Sequence, residues 1–320
     1  MRKTELKLIE ENKSIKYGDK LCFLGSCFSE HISSKLEEFG FDVDSNPLGV
    51  LFNPISIAQV VLNSEKILSD KAFLERDGIE LNWYANSKVY GHENKLEFQK
   101  EIKRKVYNFN SSLKKAKTLF ISFGTAFIYT HKELGIDVAN CHKVEANKFT
   151  KRLLTVDEMY HNWEQLLNYL KELNPELNIV FTVSPVRHVK DGLVENNRSK
   201  SRLFELIGLL EEKLSVGYFP AYEIVNDELR DYAYFKADGV HPNEFAVQRV
   251  WDLFEQVYLE ESTKKLKQEL LSYLNYFTHQ SIHPESRQHI RTRDLKIGQF
   301  NTFLDKHKEI KLHKKRLLNE

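Results

Sequence analysis

Three apolar runs in this chain each stop at a glycine or a proline and give way, at once or after a connecting stretch, to residues with helical spacing. KLCFLG (20–25) precedes a stretch in which Ile32, Leu36 and Phe39 recur until Gly40. KTLFISFG (117–124) comes before TVDEMYHNWEQLLNYLKEL (155–173), where Thr155 and Glu158 have capping-box spacing and Met159, Trp163, Leu166, Leu167 and Leu170 share a face. NIVFTVSP (178–185) comes before SKSRLFELIGLLEEKL (199–214), with Leu203, Ile207, Leu210 and Leu214 in register. Buried strands separated by long helices demand right-handed crossovers, and hence a parallel sheet with helices on both faces. In such sheets the site lies outside the carboxyl ends of the strands. Gly25-Ser26, Gly124-Thr125 and Ser184-Pro185 all fall there, and together they mark a working edge.

GYFPAYEIV (217–225) reads as a further short strand, and Val247, Val250, Trp251, Phe254 and Val257 as a helix after Pro242. FNPISIAQVVLNSEKIL (52–68) looks helical after Pro54, and the surrounding 50–116 segment reads as an insertion. This divides the chain into a domain over 1–260 and a basic helical extension over 261–320. The extension carries 13 Lys/Arg against 7 Asp/Glu, whereas the whole chain has a net charge of only +1. A basic tail can meet nucleic acid or an anionic surface, but these charges are interspersed and no nucleic-acid motif accompanies them, so a solvated helical face is expected.

No segment has the roughly 18 uninterrupted apolar residues a membrane span needs. The N-terminus, MRKTELKLIEENKSIKYGDK, is charged throughout without an apolar signal core, so a cytoplasmic location is expected. Three cysteines without a CxxC argue against a disulfide framework or a zinc ribbon. Cys141-His142 is no metal pair, because adjacent side chains rarely converge on one ion, and no metal or other cofactor is expected. His92 and the aromatic-rich NWYANSKVY (82–90) could line a substrate pocket, though core packing accounts for most such residues.

Two potential nucleophiles, Ser26 and Cys27, sit where a strand becomes a helix. Ser26 could simply cap that helix. It could also present its amide and hydroxyl above the sheet, where the positive helix end favours a developing oxyanion. In ADGVHP (237–242), Asp238 and His241 are three apart in a short turn closed by Pro242. The carboxylate can hold one ring nitrogen while the other faces outward as a base. An isolated DxxH is a common loop pattern. Strand-Gly-Ser-helix early and DxxHP late are informative only together.

Those two motifs, with the blocks between them, resemble the GSCFA family of the SGNH group of serine hydrolases, which includes GDSL-type esterases and lipases. FLGSCFS (23–29) is similar to its signature, with Phe28-Ser29 in place of Phe-Ala. NPLGVLFNP (46–54), SFGTAFIY (122–129), VANCHK (138–143) and SPVRH (184–188) continue the likeness. NNRSKSRL (196–203), YFPAYEIVNDELRDY (218–232) and KADGVHP (236–242) complete it, over roughly residues 15–260. The resemblance implies an α/β fold, a three-layer α/β/α domain on a five-stranded parallel sheet. It implies Ser26 as nucleophile, His241 as general base and Asp238 as the carboxylate that orients it. The group's oxyanion hole is typically completed by a glycine amide, matched by Gly49, and by an asparagine side chain. The asparagine would fall at Ala126, which has no side-chain amide to donate; Asn140 is the candidate substitute, with Thr125 second, although an asparagine at 140 could equally cap a turn. His142, His188 and Lys200 share the pattern without an assigned role.

The implied activity is hydrolysis of an oxygen ester, with carbohydrate deacetylation the nearest substrate class by analogy. A small-molecule or glycan ester is then the partner, and nucleic acid is not. Acyl transfer through the same acyl-enzyme, or a non-catalytic binding protein on the same scaffold, are the alternatives. Ser26 directly follows the strand's closing glycine and is expected to react. Cys27 is rotated by about 100° around the emerging helix and is expected to face elsewhere.

Overall fold

A computed structural model describes residues 4–6, 15–92, 94–279 and 282–312. The run ending at Gly25 forms β1 (Lys20–Gly25), followed by α1 (Cys27–Glu38) and β2 (Asp42–Ser45). Next come α2 (Pro54–Leu62), α3 (Ser64–Leu68), an antiparallel trio β3 (Phe73–Arg76), β4 (Ile79–Asn82) and β5 (Gly91–His92), and α4 (Lys95–Leu113). The chain re-enters the main sheet as β6 (Ala116–Phe123) and then builds a second antiparallel trio, β7 (Phe127–His131), β8 (Ile136–Val138) and β9 (Phe149–Leu153). After α5 (Val156–Leu173) come β10 (Asn178–Val183), α6 (Leu193–Leu214), β11 (Gly217–Tyr218) and α7 (Ala221–Glu223). The chain closes with α8 (Glu244–Tyr258), α9 (Glu261–Thr278) and α10 (Arg287–Lys306).

The main sheet has five strands in the order β11-β10-β6-β1-β2, every pair parallel. Because side chains alternate along a strand, each strand feeds both layers. Leu21, Phe23, Phe120 and Val180 pack beneath α1 and α8, against Ile32, Leu36, Trp251 and Phe254. Cys22, Leu24, Leu119, Ile121 and Phe181 face the other way, beneath α2, α4, α5 and α6. The expected α/β/α layering and the five-stranded parallel sheet are both present. Strand order reverses between β1 and β6, and a crevice opens at such a switch point.

Local signals act as the sequence suggests in most places. Thr155 Oγ1 accepts from the Glu158 amide at 3.2 Å, and all five residues of the α5 stripe are buried. Asn53 Oδ1 caps α2 by accepting from the Ser56 amide at 2.8 Å, with Pro54 in the first turn. GYFPAYEIV departs from expectation. Only Gly217 and Tyr218 pair as strand, because Pro220 has no amide for the ladder and the chain turns helical from Ala221. The 50–116 segment is the crossover from β2 to β6: α2 and α4 form part of the helical layer, and only β3–β5 are additional.

In the C-terminal extension α9 and α10 close over Leu270, Phe300, Phe303, Leu304 and Ile310. Lys267 pairs with Glu255 of α8, and the Lys311 amide donates to the Gly40 carbonyl at 2.6 Å. At least one basic side chain of the extension is therefore spent on docking to the main domain. The side chain of His92 and residues 313–320 of the tail lie outside the described residues. No helix among the described residues is long and apolar enough to cross a membrane.

Candidate active site

β1 ends in a turn that only glycine can make. Gly25 has φ +122, and its amide donates to Asn46 Oδ1 at 2.8 Å. Ser26 follows in extended conformation at the N-cap of α1, but its side chain caps nothing. Its amide donates instead to the carbonyl of Ser122 on β6 (3.0 Å) and to Ser122 Oγ (2.8 Å). Ser26 Oγ lies 2.8 Å from Ser122 Oγ, which lies 2.9 Å from Ser29 Oγ. Each hydroxyl has one proton, and that settles the directions. Ser29 donates to the Leu24 carbonyl at 2.9 Å, so Ser122 must donate to Ser29 and Ser26 to Ser122. The Ser26 proton is thus directed into the protein, and the residue is 1% exposed.

At the opposite wall, residues 235–242 form a closed loop. Phe235 and Pro242 make an antiparallel bridge, and the Lys236 amide donates to the His241 carbonyl at 2.8 Å. Asp238 Oδ1 accepts from the amides of Val240 (2.8 Å) and His241 (3.0 Å), and Oδ2 pairs with His241 Nδ1 at 2.7 Å. These bonds, the two amides first and then the ring, hold the Asp238 carboxyl down to about 2. The carboxylate is ionised throughout the physiological range and fixes the tautomer with the proton on Nδ1, leaving Nε2 as acceptor. The expected Asp–His pair is therefore formed.

A cavity of about 60 Å³ lies between this loop, the first turn of α1 and the end of β10, lined among others by Cys27, Phe28, Ser184, Pro185 and His241. Cys27 lines it and Ser26 does not, which reverses the expected facing of the two. No hydrogen bond joins Ser26 to His241 among the described residues. Ser26 is the N-cap, so the helical phase turns the next side chain toward the crevice.

The expected oxyanion donors are mostly engaged. The Ser26 amide is held by Ser122, and the Gly49 amide donates to the Asn46 carbonyl at 2.8 Å, closing a turn in which Asn46 has φ +40. Thr125 Oγ1 accepts from the Phe127 amide (3.1 Å) and pairs with Ser199 Oγ (3.0 Å), so it braces the β6–β7 corner. Asn140 Oδ1 accepts from the His142 amide at 2.8 Å and holds its own loop. His142 is built into the core: Nε2 meets the Asn82 carbonyl at 2.8 Å, the ring leans on Trp83, and burial lowers its pKa. Two donor sets remain. With no side-chain cap on α1, the amides of Phe28 and Ser29 in its first turn have no acceptor among the described residues. Asn46 Nδ2 is buried without a partner, because its Oδ1 is taken by Gly25. Asn46 is the residue that sequence reasoning passed over. Its signal was the turn-forming Asn-Pro-Leu-Gly, since asparagine tolerates positive φ better than most.

His188 and Lys200 stand at the same sheet edge. The His188 ring meets Phe52 edge-on, and a Cβ on Gly124 would come within 3.3 Å of its Nε2. Burial, then the charge of Lys200, press its pKa down to about 4, so His188 is neutral at pH 7. Lys200 is buried, and its Nζ donates to the carbonyls of Gly124 and Ser184 at 2.6 Å each, tying together the ends of β6 and β10. Burial pushes its pKa from 10.5 down to about 7. Between those values the unfolded chain holds a proton that the native state has released, so native stability should rise with pH in that window. In urea titrations from pH 7 to 9, the wild type should gain on Lys200→Met by up to about 1.4 kcal/mol per pH unit. A constant difference would mean that the two carbonyls keep the ammonium charged.

Among the described residues no group of three or more His, Cys, Asp or Glu side chains could hold a metal ion. No curated protein matches the chain. Among solved structures it is similar to a protein from Parabacteroides merdae ATCC 43184 provisionally described as a GDSL-like lipase. The identity is 12% and the TM-score 0.40, over 76% of this chain and 97% of that one. It is also similar to a carbohydrate esterase family 3 protein from Talaromyces cellulolyticus, at 10% identity and a TM-score of 0.35, over 78% of this chain and 99% of that one. The GSCFA family model matches residues 20–254. That span takes in the turn at Gly25, the loop that pairs Asp238 with His241, and every strand of the parallel sheet, and the chain belongs to the GSCFA family.

Proposed function

We propose that this protein is an SGNH-type acyl-ester hydrolase in which His241, oriented by Asp238, serves as general base for a nucleophile at the start of α1. The carrying observation is the 2.7 Å Nδ1–Oδ2 pair on a cavity shared with the first turn of that helix, at the carboxyl edge of the sheet. The nucleophile attacks the acyl carbon while Nε2 takes its proton. The imidazolium returns that proton to the departing alcohol, and water then releases the acyl group by the reverse sequence. The uncapped first-turn amides of α1, at the positive end of the helix, suit the oxyanion.

A cavity of about 60 Å³, well below the roughly 150 Å³ of a cavity known to hold benzene, favours a small acyl group. This supports the deacetylase reading, with a sugar or other small alcohol outside the cavity. An acyltransferase would share the first half-reaction. Turnover of 4-nitrophenyl acetate, butyrate and octanoate tests the reading. The kcat/KM should fall with chain length, and His241→Ala should lower it about a hundredfold or more. If neither these esters nor acetylated xylo-oligosaccharides are turned over, the chain is a binding protein on this scaffold.

A further inference from the structure

We infer that the nucleophile is the Cys27 thiol, and that Ser26, the residue the family resemblance points to, is a buried brace which positions the turn. This rests on the hydrolase reading above and names the group that performs its first step.

Two independent observations carry it. The first is proton accounting at Ser26. Ser122 Oγ accepts from the Ser26 amide and the Ser26 hydroxyl and donates to Ser29, so its capacity is full and the Ser26 proton is committed. To attack an acyl carbon, Ser26 would have to leave that network and swing out from a 1% exposed position. Doing so would strip a buried hydroxyl network of a partner. The second observation is placement. Cys27 is the first residue of α1, half-buried, and lines the same cavity as His241. Its side chain takes part in no described hydrogen bond to another residue, and it sits among the uncapped amides that would receive the oxyanion. The other two cysteines have no such setting. Cys22 lies inside β1, fully buried, and Cys141 lies in the loop after β8.

The chemistry is consistent with a neutral thiol at rest. Burial and then Glu30 raise the Cys27 pKa, against its own backbone amide and the charges of Lys88 and Lys236. No preformed thiolate is required when a base stands across the cavity. As Sγ bonds to the acyl carbon, its proton passes to His241 Nε2. The ester C–O bond breaks and the leaving alcohol takes that proton, giving a thioester. Water then attacks the thioester carbon with His241 accepting its proton, the C–S bond breaks, and the thiol is re-formed as the acid departs.

The test combines variants with mapping, using 4-nitrophenyl acetate as the probe. Cys27→Ala should lose at least about a thousandfold in kcat, whereas Ser26→Ala should keep turnover within about tenfold. Iodoacetamide should inactivate the wild type by alkylating Cys27 ahead of Cys22 and Cys141, and His241→Ala should slow that alkylation. Thermal melts of each variant separate lost folding from lost chemistry. Acid quench during turnover should leave the acetyl group on the Cys27 peptide, removable by neutral hydroxylamine as a thioester is. An acetyl group on Ser26, or full turnover after Cys27 is alkylated or replaced, overturns the inference while leaving the hydrolase reading intact. Absence of ester turnover in the wild type overturns both.

Discussion

Asp238→Asn is expected to lower kcat by roughly 10²–10⁴-fold while leaving the fold in place. The asymmetry comes from the division of labour between the two carboxylate oxygens. Oδ1 accepts the Val240 and His241 amides, and an asparagine carbonyl can accept both as well, so the loop keeps its shape. Oδ2 meets His241 Nδ1, and an asparagine would offer an N–H there. Two donors cannot share that contact, so the ring must give up its Nδ1 proton and carry it on Nε2 instead. The nitrogen facing the cavity would then be a donor, unable to accept the nucleophile's proton. The melting temperature should stay near that of the wild type and KM should change little, with the loss concentrated in kcat. Asp238→Ala would confound the two effects, because it also releases both amides. If Asp238→Asn turned over acetate esters at the wild-type rate, the Asp–His pair would be ordinary loop structure and His241 would not be the base.

The parts of this site that could be read from sequence are those governed by neighbours in the chain. The stop at Gly25, the capping box at Thr155 and the Asp238–His241 pair all depend on residues within a few positions, so spacing alone exposes them. What spacing does not reveal depends on which strands become neighbours. Ser26 looks like a free nucleophile until β6 is known to lie beside β1, since Ser122 is 96 positions away and holds both its amide and its hydroxyl. Gly49 looks like a free amide until Asn46 adopts positive φ and offers its carbonyl. The facing of Cys27 turns on helical phase, which shifts by about 100° if the N-cap is misplaced by one residue. The β7–β8–β9 trio escaped notice for a related reason. Its strands are short and half-exposed, so VANCHK reads as an isolated block and not as the end of a hairpin arm packed on Trp83.

Gly25→Ala should abolish the fold, with a destabilisation above about 4 kcal/mol, beyond the range of most single substitutions. Two costs coincide at this position. The backbone has φ +122, outside the regions an L-residue with a Cβ occupies readily. The added methyl would also lie 2.1 Å from the Ser122 carbonyl oxygen and 2.9 Å from its carbon. Those atoms belong to the adjacent strand, so nothing flexible can yield; β1 and β6 would have to part at the centre of the sheet. Parting them would also break the Ser26 amide bonds to Ser122 and shift the first turn of α1 away from His241. Gly135→Ala supplies the control. That glycine too has positive φ, +64, but a Cβ there meets nothing within 4 Å, so only the conformational cost of about 1–2 kcal/mol remains. Soluble yield and circular dichroism of the two variants should therefore diverge sharply, Gly135→Ala folded and active, Gly25→Ala neither. A folded and active Gly25→Ala would show that β1 and β6 can separate at this turn without losing the site, and the tight strand-to-helix corner would then not be what holds the nucleophile.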